Sequence, residues 1–119
     1  MGKVLIAEDD KPMANALKIK LTRAGYDVTL AYDGNQALKS LGKDKFSLLL
    51  LDIMMPKCDG FQVLEGMKKA GDKTKVFILS NLSQPEDEAR AKSLGAKEYF
   101  VKSNVSLAEV ISRINQAIG

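Results

Sequence analysis

The chain predicts a three-layer α/β/α domain on a parallel five-stranded sheet of order 2-1-3-4-5, and three observations in its 119 residues carry that expectation. Short runs rich in β-branched or apolar residues alternate five times with segments punctuated like helices. Two runs, Phe46–Leu51 and Val76–Leu79, are continuously apolar, as central strands covered on both faces must be. Chemically distinctive polar residues follow four of the five runs, and placing the second run at an outer edge accounts for its lack of one.

In order, the strand-like runs are Lys3–Ala7, Asp27–Ala31, Phe46–Leu51, Lys75–Leu79 and Glu98–Val101. Between the first two, Ala14, Leu17, Leu21 and Ala24 form an apolar stripe at helical spacing; Leu107, Val110, Ile111, Ile114 and Ile118 do the same in the last helix. Asp33-x-x-Gln36, Asp59-x-x-Gln62, Ser83-x-x-Glu86 and Ser106-x-x-Glu109 read as capping boxes, in which a short side chain accepts from a free backbone N–H and the later side chain reaches back. Gly25, Gly42, Gly71 and Gly95 stand where helices should stop. The fourth helix, around Glu86–Leu94, offers only Ala89, Ala91 and Leu94 as apolar anchors and is expected to be the least firmly held. Asp10 suits a helix N-cap before Pro12 as well as it suits membership of an acidic site. Short connections and the absence of a linker or repeat make residues 1–119 one expected domain.

Composition narrows the function. With 45% hydrophobic residues the chain can bury a core without staples, and its one cysteine, Cys58, rules out an internal disulfide. Histidine is absent, which removes Ser-His-Asp and Cys-His catalysis and most zinc sites. The net charge of +3 comes from scattered lysines with no interleaved aromatics and no Trp, so no nucleic-acid contact is expected. The apolar run Phe46–Leu51 is too short to span a bilayer and no signal-peptide pattern precedes Lys3, so a cytoplasmic location without membrane contact is expected.

Against this basic background Glu8 and Asp9 follow the first strand, Asp52 ends the third, Ser80 follows the fourth and Lys102 the fifth. In an open α/β sheet these C-terminal strand ends form one ligand-binding edge. Three carboxylates meeting there repel one another unless a cation joins them, and a hard divalent ion such as Mg²⁺ takes oxygen ligands of this kind. An acidic cluster, a lysine and a hydroxyl together suit phosphoryl chemistry, with a carboxylate able to act as nucleophile.

The segments VLIAEDD, LLLLDIMMPKCDG, VFILSN and YFVKS, in this order and spacing, resemble the receiver domain of two-component response regulators, the CheY-like superfamily. The resemblance spans essentially the whole chain and implies a flavodoxin-like (βα)5 fold. It implies that Asp52 is the phosphoacceptor, taking a phosphoryl group from a phosphohistidine on a sensor histidine kinase or phosphotransfer protein. Asp9 would ligate Mg²⁺ directly, Glu8 through a water, and Asp52 and the Met54 carbonyl would complete the protein ligands, with Mn²⁺ able to substitute. Ser80 and Lys102 match the hydroxyl and the ammonium that contact the phosphoryl group, and Tyr99 matches an aromatic that turns inward as Ser80 is drawn to it. Pro56 and Gly60 match the loop after the phosphoacceptor. The expected output is a change in the face made by the fourth helix, fifth strand and fifth helix, which binds a partner or a second copy of the chain. Such a domain signals rather than turning over a substrate, apart from limited self-phosphorylation and self-dephosphorylation.

The chain departs from the family pattern where Ser103 replaces the usual cis-proline after Lys102 and where Ser80 replaces the commoner threonine. Met54 and Asn81 occupy positions that tend to set the phosphoryl lifetime. Two other classes compete. A phosphorylation-independent interaction module would keep the fold, but the intact set of Glu8, Asp9, Asp52, Ser80 and Lys102 argues against it. A Mg²⁺-dependent aspartyl-phosphate phosphatase would carry an acid two residues after its nucleophile, where this chain has Met54. A flavin-binding protein of the same fold is disfavoured because Glu8-Asp9-Asp10 would repel a phosphate.

Overall fold

The structure, a computed structural model, describes residues 2–119. Its elements run β1 (Lys3–Ala7), α1 (Lys11–Arg23), β2 (Asp27–Ala31), α2 (Gly34–Lys43), β3 (Leu48–Leu51), α3 (Gly60–Ala70), β4 (Lys75–Ser80), α4 (Pro85–Ser93), β5 (Glu98–Val101) and α5 (Leu107–Ile118). The strands form one sheet in the order β2-β1-β3-β4-β5, every pair parallel, as the sequence predicts.

Successive side chains in a strand point to opposite faces. In β3 this sends Leu48 and Leu50 into a core with Leu17 and Leu21 of α1 and Val110 and Ile114 of α5. Leu49 and Leu51 enter a second core with Ala37 of α2, Val63, Leu64 and Met67 of α3 and Ala91 of α4. A run of four leucines is therefore what a strand buried on both faces requires. Phe77 of β4 meets Phe100 of β5 edge-on at 5.9 Å, closing the first core towards the sheet's margin.

The caps hold with instructive exceptions. Asp59 with Gln62 and Ser106 with Glu109 make full capping boxes at α3 and α5. Asp33 caps α2 by accepting from the Gln36 amide at 2.8 Å, but Gln36 reaches back to the Tyr32 amide instead of that of Asp33. Ser83-x-x-Glu86 is not a box. Pro85, whose fixed φ and missing N–H suit the first helical position, moves the cap to Gln84, whose side chain makes no capping bond. Ser83 is left one residue outside. Gly25, Gly71 and Gly95 take the positive φ of 100°, 69° and 112° that ends a helix, whereas Gly42 lies within α2, which runs on to Lys43. A side chain at Gly42 would meet nothing within 4 Å, so no packing fixes the chain path there.

Two strand ends differ from the sequence reading. Regular pairing in β3 begins at Leu48, because Phe46 packs into the α2–α3 core while the chain is still arriving from α2. β4 extends by one residue to take in Ser80. Ala89 is exposed and does not anchor α4, which buries Ala91 alone, with Leu94 half-buried beyond its end. Asp10 is the N-cap of α1, accepting from the Met13 amide at 3.3 Å, with Pro12 in the first turn.

Candidate functional site

The sheet's hydrogen bonding runs one residue past several strand ends and fixes the backbone of the polar residues there. The Glu8 amide donates to Ala31 at 2.9 Å, the Asp52 amide to Ala7 at 2.9 Å and the Lys102 amide to Ser80 at 2.8 Å. The parallel strands β1, β3 and β5 thus deliver Glu8, Asp52 and Lys102 to one edge at heights set by the ladder.

There the Lys102 ammonium lies 2.6 Å from Glu8 Oε1 and 3.3 Å from Asp52 Oδ2, bridging two buried carboxylates. The remaining oxygens are also engaged: Glu8 Oε2 accepts from the Asp10 amide at 3.2 Å and Asp52 Oδ1 from the Met54 amide at 3.3 Å. Asp9 is exposed, and one carboxylate oxygen from each of Glu8, Asp9 and Asp52 can be chosen so that all lie within 4.8 Å of one another. Three carboxylates against one ammonium leave two formal negative charges, which match one divalent cation.

Burial pushes the Glu8 carboxyl up to about 7; the Asp52 carboxylate adds to the shift and the bond from Lys102 opposes it. For Lys102 burial works towards a lower value, but Glu8 and Asp52 outweigh it and hold the ammonium above the ordinary lysine pKa. The pocket therefore has excess negative charge that its own lysine only partly offsets. All-oxygen donors, an unbalanced charge and an exposed third carboxylate on the solvent side are what a hard divalent ion requires.

Ser80 and Tyr99 make no hydrogen bond to this cluster among the described residues, and each bonds a main-chain group of Leu82. Ser80 is fully buried and its hydroxyl accepts from the Leu82 amide at 3.2 Å. Tyr99, half-buried on β5, donates to the Leu82 carbonyl at 2.8 Å. Among the described residues no hydrogen bond runs from Ser80 to Asp52. All described peptide bonds are trans, including Lys102–Ser103, where the resembled family usually has proline.

Three features escape a reading of the sequence. The Leu82 link is made by main-chain groups and leaves no trace in residue type. The Arg90 guanidinium of α4 lies 4.0 Å from the centre of the Phe61 ring of α3, a contact between helices that no local pattern reports. Asp33, legible only as a cap, also lies 3.9 Å from the Lys57 ammonium in the loop after Asp52.

The profile of the response regulator receiver domain family matches residues 4–115. The chain belongs to that family. It is 37% identical over 112 residues to the transcriptional regulatory protein DltR of Streptococcus agalactiae, a match covering 94% of this chain and 50% of DltR. It is 32% identical over 117 residues to the uncharacterized transcriptional regulatory protein YkoG of Bacillus subtilis, covering 98% of this chain and 51% of YkoG. The chain thus spans about half the length of the curated relatives it matches. Among solved structures it is similar to the receiver domain of Francisella response regulator 1452, with a TM-score of 0.93, 35% identity and coverage of 99% and 97% of the two chains. It is also similar to the response regulator TrrA of Thermotoga maritima in complex with Mg²⁺ and a beryllium fluoride, with a TM-score of 0.86, 27% identity and coverage of 98% and 99%. As a receiver domain, the chain is a signalling module of two-component systems. No helix among the described residues is long and apolar enough to cross a membrane.

Proposed function

We propose that Asp52 accepts a phosphoryl group from a sensor histidine kinase or phosphotransfer protein, and that the modified protein presents a changed α4–β5–α5 face to a partner or a second copy. The observation that carries this reading is the Lys102 ammonium bridging Glu8 and Asp52 beside the exposed Asp9. A carboxylate oxygen of Asp52 attacks phosphorus, the O–P bond forms as the P–N bond of the donor phosphohistidine breaks, and the electron pair leaves with the imidazole. Glu8, Asp9, Asp52 and the Met54 carbonyl would hold Mg²⁺, or Mn²⁺ in its place, and the ion would supply positive charge to the transferring group.

The chain's own residues supply the rest. Lys102 is already within 3.3 Å of Asp52 and needs only a small movement to pair with a phosphoryl oxygen. Ser80 donates its hydroxyl proton to another phosphoryl oxygen. Phosphorylation adds about one and a half to two negative charges and three acceptor oxygens, so both residues find partners that exist only in the modified state. Movement of Ser80 loads its bond from the Leu82 amide, and Leu82 in turn holds the Tyr99 hydroxyl. That chain of bonds connects Asp52 chemistry to β5 and to the start of α4. Residues 1–119 act in this reading as one receiver unit in the cytoplasm, without contacting nucleic acid or membrane. The names of the relatives suggest transcriptional control as the output of a longer protein.

The test is intact-mass measurement after incubation with acetyl phosphate and Mg²⁺. One phosphoryl group should be gained, lost with Asp52→Asn and lost when the metal is chelated. If neither this adduct nor Mg²⁺-dependent beryllofluoride binding forms, the phosphoacceptor reading falls.

A further inference from the structure

The loop between Asp52 and α3 carries Met54, whose amide donates to the Asp52 carboxylate. Its two ends are tied to each other: the Gly60 amide donates to the Ile53 carbonyl at 2.8 Å, and a Cβ at Gly60 would come within 2.6 Å of the Asp52 carbonyl oxygen. The middle of the loop has a different support. Lys57 is the one described residue other than glycine with a positive φ, at 68°. That left-handed turn presents the Cys58 carbonyl to the first residue of α2, Gly34. A Cβ built on Gly34 would lie 2.1 Å from the Cys58 carbonyl oxygen and 2.7 Å from both its carbonyl carbon and its Cβ. Two of these three neighbours are backbone atoms, so the contact is possible only without a side chain at position 34. Asp33 reinforces it: the carboxylate that caps α2 at 2.8 Å also faces the Lys57 ammonium at 3.9 Å.

We propose that Gly34, through its backbone contact with Cys58, is a positioning residue that sets the height of the 53–59 loop and so holds the Met54 amide and carbonyl at the Asp52 site. This rests on the phosphoacceptor reading above. Helix α2 itself offers no side chain to the acidic cluster; it acts as a backstop. A methyl at position 34 must push Cys58 away, and because Gly60 fixes one end, the displacement passes towards Met54. Gly42 in the same helix is the matched control, since a Cβ there meets nothing within 4 Å. A residue that merely shapes the helix would behave in the opposite way, because alanine favours helix over glycine at both positions.

The experiment compares wild type, Gly34→Ala and Gly42→Ala in chelator by amide NMR, and then by titration with Mg²⁺ and beryllofluoride. In the metal-free protein Gly34→Ala should shift the Met54 and Cys58 amides and leave those of Ala7 and Leu51 in place. Its affinity for beryllofluoride with Mg²⁺ should fall at least about tenfold, as for other residues that orient metal ligands, while Gly42→Ala stays at the wild-type value. The Cys58 thiol, buried and the chain's only one, should react faster with an aromatic disulfide in Gly34→Ala. If Gly34→Ala does not fold, Gly34→Ala with Lys57→Gly, which relieves the strain of the positive φ while the methyl still displaces Cys58, carries the same readouts. An unmoved Met54 amide overturns the proposal, and so does a moved amide with unchanged affinity. If wild type itself neither binds beryllofluoride nor gains a phosphoryl group from acetyl phosphate, the phosphoacceptor reading fails instead, and the Met54 amide alone decides whether Gly34 positions the loop.

Discussion

Helices α3 and α4 cover the same face of the sheet. α3 buries Gly60, Phe61, Val63, Leu64 and Met67, starts with a full capping box and ends on a left-handed glycine. α4 buries Ala91 alone, and its cap residue Gln84 makes no side-chain bond. What α4 has is local: three acidic residues in its first turn, favourable to the helix dipole, and a Glu88–Lys92 pair at 3.0 Å one turn apart. It is thus a helix supported more by its own local interactions than by burial against the sheet. α3 starts eight residues after Asp52; α4 starts three residues after Leu82, whose amide and carbonyl bond Ser80 and Tyr99.

The largest effect should come from truncating the two anchors. Leu64→Ala in α3 is expected to cost about 3 kcal/mol by urea denaturation, through lost burial and an unfilled cavity. Ala91→Gly in α4 should cost only about 1 kcal/mol, mostly helix propensity. Equal costs would break the comparison.

The acidic pocket on the Asp52 side adds a dependence on pH. Burial pushes the Glu8 carboxyl up to about 7 from an ordinary value of 4.5, with Lys102 opposing the shift and Asp52 adding to it. Between those two values the folded metal-free protein holds a proton that the unfolded chain has released, so its stability should fall as pH rises from about 4.5 to about 7. The excess fall relative to Glu8→Gln, which cannot titrate, is expected to be about 2 kcal/mol. Urea melts in chelator at pH 5 and pH 7.5 measure it; parallel slopes in the two proteins would show that the pocket relaxes around Glu8.

Caps give a smaller difference. Asp59→Ala should destabilise by about 1 kcal/mol, while Gln84→Ala should fall within experimental error because there is no bond to lose. A comparable loss at Gln84 would mean that α4 is capped in solution after all.

The same contrast decides what is legible in the sequence. Strand order, both cores and the convergence of Glu8, Asp9, Asp52 and Lys102 follow from periodicity and from which residues end which strands, because a parallel sheet turns position along the chain into height along an edge. The weakness of α4 is visible as a shortage of apolar residues, though Ala89 does not belong among its anchors: composition shows how many candidates exist but not which way each faces. The Ser83 box does not form because a proline two residues later competes for the same helix start, and the stronger local constraint wins. Gly42 misleads because a glycine in open space carries no structural demand. The Leu82 bridge, the Gly34–Cys58 contact and the Arg90–Phe61 stacking are illegible for one reason: each joins its groups through main-chain atoms or through a side chain with no periodic partner.

The Arg90–Phe61 stacking gives the finest test. α4 buries one residue, and its Arg90 guanidinium lies over the Phe61 ring of α3, 4.0 Å from its centre. Stacking of this kind contributes about 0.5–1 kcal/mol at a partly exposed position. Arg90→Gln keeps the length and helix propensity but removes the charge, so amide exchange across Pro85–Ser93 should quicken about two- to fivefold while Gly60–Ala70 is unaffected. A double-mutant cycle with Phe61→Leu separates the pair from the general weakening of packing at Phe61. If the tether belongs to the resting state, Arg90→Gln should also raise beryllofluoride affinity by a similar factor, because the activated arrangement then forms without first breaking the stack. Unchanged exchange in α4 would show that the Ser80–Leu82–Tyr99 links alone hold the helix, and the division between a fixed α3 and a loosely tied α4 would then rest on β5 rather than on the facing helix.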